Sequence, residues 1–178
     1  PDPEVARKRL DRMRRRGLVG LIGRGVYRVE GSPDTWHQRA LSAAWLVSPM
    51  ALLSHRAALA LWGLSSRRGV EVLVPVSRGG RPGAVRVHQT RFLNAVDVDS
   101  RDQVPVTSIE RTLVDVAAIT PMGKLARLLD AAVDAGLTTP EQVVERVRTM
   151  PTRGRKGVPV LRVLLEERLG FPADEINA

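Results

Sequence analysis

The chain contains no cysteine, which excludes disulfides, thiolate zinc sites and a cysteine nucleophile. It fits a reducing compartment, and a cytoplasmic location is expected. Aromatic residues are few: three Trp, two Phe and one Tyr in 178 residues. A base-stacking platform for single strands needs more exposed rings than that, so the tryptophans are expected to be packing residues. Lysine occurs only at positions 8, 124 and 156. No apolar run reaches the ~18 residues of a membrane span, because Ser, His and Arg interrupt the longest ones. The N-terminus is charged and lacks the apolar core of a secretory signal. The first residue is Pro1 rather than Met, which reads as a processed or partial chain.

What is present is a globular amount of apolar residues, 43%, and a large excess of arginine. The formal net charge is +9, which favours polyanionic partners. Arginine, alanine, valine and glycine together are also what a GC-rich genome produces, so the placement of charge matters more than its sum.

The placement is uneven. Residues 3–16 read as a helix with a narrow apolar stripe of Ala6, Leu10 and Met13. Lys8, Arg12 and Arg15 recur on another face, with Arg9 and Arg16 beside them. Glu4 and Lys8, and Asp11 and Arg15, stand four apart and support the helix. Gly17 follows as the residue past its end. Two short β runs, 18–22 and 26–29, flank Gly23-Arg24-Gly25, which predicts a hairpin with a three-residue loop. Such a helix can lie in a major groove, its arginines on phosphates and guanine edges and Arg24 on the flanking backbone. The plainer alternative is a solvated helix in an arginine-rich protein.

Glu30-Gly-Ser-Pro-Asp34 is a break, and divides a module over 1–30 from a body over 31–178. The body predicts a helix over 34–47 with Trp36, Ala40, Ala43 and Val47 on one face. A second helix opens at Ser54-His55-Arg56, with Ser54 as N-cap, and closes at Gly63. Residues 70–75 are a strongly apolar strand, 77–83 a basic turn, and 85–88 an alternating strand. Extended pieces at 97–99 and 104–106 precede a capping box, Thr107-Ser-Ile-Glu110, that opens a third helix. Helices over 121–136, from Thr139-Pro140-Glu141, and over 158–169 complete the chain, with a basic linker at 152–156 and a tail after Phe171 that reads as frayed. The fold class expected is α+β: a partial winged helix, then an α/β body with a small mixed sheet and C-terminal helices.

Other candidate sites carry less. Arg67, Arg68, Arg78, Arg81, Arg86 and Arg91 form a second basic cluster, but its glycines lack the spacing of a nucleotide-binding loop. His37, His55 and His88 have no metal-ligand spacing. His55 is read as a residue hydrogen-bonded within the fold. Asp97, Asp99 and Asp102 fit a turn better than a nuclease metal site. Arg111 and Asp115, if buried, form a structural ion pair. No catalytic, cofactor or metal constellation is read, and an enzyme is not expected.

The run from Arg14 to Val29 resembles the recognition-helix end and wing of AbiEi-type antitoxins, the antitoxin halves of type IV toxin–antitoxin systems. Leu53-Ser-His-Arg-Ala-Ala-Leu-Ala-Leu-Trp-Gly-Leu64, Val85-Arg-Val-His88 and Pro105-Val-Thr-Ser-Ile-Glu-Arg-Thr-Leu-Val-Asp-Val-Ala117 follow in that family's order. The resemblance implies a transcriptional regulator that binds promoter duplex DNA, represses its own operon and has a cognate toxin of nucleotidyltransferase type. It implies that Lys8, Arg9, Arg12, Arg15 and Arg16 face the groove, with Arg24 on the wing. It also implies earlier helices of the winged helix. Actinobacterial relatives continue into a Vsr-like endonuclease domain, so two alternatives stand beside the regulator: the non-catalytic targeting part of such an enzyme, and a partner-binding module without DNA function.

Overall fold

A computed structural model describes residues 2–66, 69–76, 85–151 and 156–170. It is a mixed α+β structure with seven helices, a two-stranded hairpin and a five-stranded mixed sheet among the described residues. The turn at 77–83, Arg67, Arg68, linker residues 152–155 and the tail from Phe171 lie outside them.

Helix α1 (Pro3–Arg15) starts where Asp2 caps it, its carboxylate accepting from Glu4 N at 2.8 Å. It ends in a Schellman motif. Gly17 takes φ +67, a left-handed conformation that costs glycine nothing, and Leu18 N donates to Met13 O at 3.0 Å. Strands β1 (Val19–Gly23) and β2 (Val26–Val29) then pair antiparallel. Gly23 pairs with Val26, so the connecting loop is Arg24-Gly25 alone, one residue shorter than the sequence predicts, and the register slips between Leu21 and Gly23. Gly23 lies against the Leu46 side chain, where a Cβ would come within 2.5 Å of it.

Helix α2 (Trp36–Val47) is capped by Thr35 and buries Trp36, Ala40, Ala44 and Val47. The buried alanine is Ala44 and not Ala43, which keeps the four-residue step from Ala40. Strand β3 (Leu52–Leu53) leads into α3 (His55–Leu61). Strands β4 (Glu71–Pro75), β5 (Arg86–Thr90), β6 (Val98–Arg101) and β7 (Val104–Thr107) complete a sheet of order β5-β4-β3-β7-β6. Pairs β4–β5 and β3–β7 are parallel, β3–β4 and β6–β7 antiparallel.

Four helices follow: α4 (Ile109–Ala117), α5 (Met122–Asp134), α6 (Pro140–Arg148) and α7 (Gly157–Leu169). The N-cap of α4 is Ser108, whose hydroxyl accepts from Arg111 N; the expected box from Thr107 to Glu110 does not form. Thr107 faces inward instead and meets Thr112 Oγ1 at 2.7 Å, while Glu110 accepts from the Thr138 hydroxyl at 2.6 Å. The capping box of α6, Thr139 with Gln142, is complete.

Two apolar cores result. One joins α2 and α3 to the sheet through Ala40, Leu53, Ala57, Val72 and Val106. The other gathers α4 to α7 around Leu113, Leu125, Leu129, Val143 and Leu161. Helix α7 approaches α4 so closely at Gly157 that a Cβ there would collide with Val114 O. Of the tryptophans, Trp36 is buried and Trp62 is half-buried, its Nε1 donating to Thr107 O at 3.1 Å. Trp45 is 47% exposed and is not the packing residue its position suggested. No helix among the described residues is long and apolar enough to cross a membrane.

Candidate nucleic-acid interface and a buried polar centre

Helix α1 buries no residue. Ala6, Leu10 and Met13 are the half-covered positions, the stripe that the spacing predicts, and they turn toward β1. Lys8, Arg9, Arg12, Arg15 and Arg16 are all exposed; 3.6-residue periodicity puts Lys8, Arg12 and Arg15 on the side away from the stripe, with Arg9 and Arg16 beside them at its edge. Arg16 is the C-cap rather than a helical residue. Arg7 and Arg14 are exposed as well, flanking the stripe, so cations cover more of the helix than the predicted face. Arg24 stands exposed at the hairpin tip. Among the described residues Lys8 has an ion-pair partner, Glu4 at 2.9 Å, on a surface where the pair is worth a few tenths of a kcal/mol. Among the described residues no hydrogen bond or ion pair inside the fold uses the arginine side chains of this face.

The arginines of the body are spent differently. Arg111 is 1% exposed. Its Nε donates to Asp115 Oδ1 at 3.0 Å, and Nη1 donates to Phe92 O at 2.9 Å and Asp97 Oδ2 at 3.2 Å. Asp97 is fully buried and also accepts from Arg146 Nε and Nη2 at 2.9 and 2.7 Å. Its Oδ2 accepts from Asn94 N at 2.9 Å. One carboxylate thus ties the 3-10 turn at 95–97 to α4 and α6. Arg111 and Asp115, four apart on α4, do form an ion pair, with Arg111 buried. Asp99 and Asp102 are exposed and take no part, so the acidic patch of the sequence is not a unit.

A second buried polar group was not legible. His55 opens α3, Glu71 opens β4, and His88 sits mid-β5 beside Leu73 in the parallel register. The His55 and His88 rings stack with centroids 3.6 Å apart and planes 13° apart. Glu71 Oε2 accepts from His88 Nε2 at 2.8 Å, and Oε1 accepts from Arg56 Nη1 at 3.3 Å. Burial and the neighbouring His88 push the His55 pKa down to about 3, although Glu71 pulls the other way, so the ring is neutral at physiological pH. Burial alone would raise the Glu71 carboxyl, but the His88 hydrogen bond and the nearby His55, His88 and Arg56 outweigh it and hold Glu71 below its ordinary value. Ser54 does not cap α3 by its side chain. Its hydroxyl instead lies 3.1 Å from His55 Nδ1. His55 takes φ +51, a left-handed conformation that is uncommon outside glycine and costs of order 1 kcal/mol.

No protein-family model matches the chain, and no curated protein matches it.

His55 and His88 line an open cleft of about 1040 Å³ together with Arg91, Asp115 and Lys156. Of the described members of the second basic cluster, Arg91 lines this cleft and Arg86 is exposed on β5; Arg67, Arg68, Arg78 and Arg81 lie outside the described residues. The signal missed in the sequence was Glu71, a lone acid at the mouth of an apolar strand. Its meaning depends on the pairing of β4 with β5, which a single sequence does not display. His37 is apart from this group, 3.7 Å from Asp102 on the surface.

Proposed function

We propose that the chain is a DNA-binding transcriptional regulator of the antitoxin-like kind, acting by occupying duplex DNA at its own operator. In this reading α1 is the recognition helix of a winged helix and β1–β2 is its wing. The observation that carries it is the exposed cationic face of α1, continued by Arg24 at the hairpin tip. Lys8, Arg9, Arg12, Arg15 and Arg16 neutralise phosphates or read guanine edges, and Arg24 contacts the backbone beyond the groove. Three properties support it: the +9 charge, the exposure of these arginines on a helix that buries no residue, and a turn that sets a hairpin directly after the helix. Duplex DNA is the primary partner, and a cognate toxin of nucleotidyltransferase type is the protein partner this reading implies, in the cytoplasm.

The test is binding of labelled duplex DNA by the chain and by an Arg12→Gln, Arg15→Gln double variant. The reading expects saturable binding, and a loss of affinity in the double variant at every duplex sequence tried. Equal affinity of the two proteins overturns it.

A second reading is favoured by one observation. Leu18, Leu21, Ile22 and Val29 are exposed on or beside the hairpin, at 43–63%. Apolar residues so placed suit a protein partner. If duplex DNA fails to bind while a neighbouring gene product co-purifies with the chain, the module is a partner-binding surface.

A further inference from the structure

The His55–Glu71–His88 group lies in the body and owes nothing to the DNA reading. The ligand atoms of these three residues all lie within 4.8 Å of one another. We propose that they form a binding site for a divalent transition-metal ion of the Zn²⁺ class, with one coordination position open to the cleft.

The donor set decides the class of ion. Two imidazoles and one carboxylate suit Zn²⁺ and its neighbours, and three protein ligands with a free fourth position are the pattern of exchangeable or reactive zinc sites. Protonation states agree. His55 is neutral and Glu71 ionised at physiological pH, the forms that ligate. Outer contacts orient both. Ser54 sits on His55 Nδ1 at 3.1 Å and leaves Nε2 for the ion. Arg56 holds Glu71 Oε1 at 3.3 Å and leaves Oε2, the atom now bonded to His88. The uncommon backbone conformation of His55 puts an imidazole at this point of the turn, where an ordinary residue would avoid the strain.

Two features set the strength and the movement required. Metal–nitrogen bonds of ~2.0–2.1 Å lie in the ring plane, so the stacked rings must splay as the ion enters. Arg111 and Arg56 both oppose a cation, the charge of Arg111 being partly offset by Asp97 and Asp115. Both terms favour an exchangeable ion over one held permanently. His55 and His88 line the cleft, so water or an anionic group can complete the coordination from there, with Arg91 and Lys156 on the same cleft.

The experiment titrates chelator-treated chain with Zn²⁺ and records long-range ¹H–¹⁵N spectra of the imidazoles. One equivalent shifts the ring nitrogens of His55 and His88 and leaves His37 in place. Zn²⁺ at a hundredfold excess over Kd raises Tm by roughly 5–10 °C. Glu71→Gln and His88→Gln weaken Zn²⁺ by more than about 100-fold, and Ser54→Ala by about 10-fold. Shifts confined to His37, the absence of a one-to-one endpoint, or wild-type affinity in a folded His88→Gln protein overturns the site. The spectra use the unaltered chain, so they decide the matter even where a variant fails to fold.

Discussion

Arg12 and Arg111 are the same residue put to opposite uses. Arg12 and Arg15 stand in solvent on a helix that buries nothing, while Arg111 and Arg146 are buried on one shared carboxylate. The first pair is, in the proposed function, charge available to a polyanionic partner. The second holds elements together, because a buried ion pair is costly to break from either side. Counting arginines therefore says little about function, and asking what each already touches says more. The two regions predict separable failures: changes in the body cost stability, and changes on α1 cost binding.

The largest expected effect is at Asp97. Asp97→Ala leaves Arg111 and Arg146 buried without their acceptor and lowers unfolding stability by about 3–5 kcal/mol. Urea denaturation measures it, and a loss below about 1 kcal/mol would show that the carboxylate is not the tie it looks like.

Next is pH. In metal-free protein His55 titrates near 3 in the folded state, against 6.5 unfolded. Between those values the unfolded chain binds more protons, so stability is full above pH 6.5 and falls as pH drops below it. One proton gives a slope of up to about 1.4 kcal/mol per pH unit. Glu71, with its lowered value, contributes in the same direction but below pH 4.5, so its part is absent between pH 7 and 5. Urea midpoints at pH 7 and 5 should diverge less in His55→Asn, a residue that also tolerates positive φ. An unchanged difference removes His55 from the account.

Gly157→Ala is third. The methyl meets Val114 O, so α7 must shift against α4 at a cost of about 1–3 kcal/mol. A variant as stable as the parent would mean that the helix pair slides freely. The smallest stability effect belongs to Arg12→Gln with Arg15→Gln, within about 0.5 kcal/mol of the parent because both side chains are exposed on a helix that buries no residue. A larger loss would erase the contrast between the two regions.

Local chemistry was legible from the sequence. The cap at Thr139-Pro140, the Gly17 stop, the stripe of Ala6, Leu10 and Met13, and the exposure of the basic face all follow from contacts within a turn or two. What was not legible spans the chain. Asp97 and Arg146 are 49 residues apart and meet only because α6 packs under the 3-10 turn. Glu71 and His88 meet only because β4 and β5 run parallel in one register. The capping box expected at Thr107 failed for a related reason: tertiary contacts drew Thr107 inward to Thr112 and Glu110 outward to Thr138, and Ser108 took the cap.

The central claim is that the α1 face is a phosphate-binding surface, and the salt dependence of duplex binding tests it most directly. Each phosphate neutralised contributes about −0.9 to the slope of log affinity against log salt. The account predicts a steep negative slope for the unaltered chain, reduced in magnitude by about 1.8 in the Arg12→Gln, Arg15→Gln protein. A flat slope, or the same slope in both proteins, would contradict it.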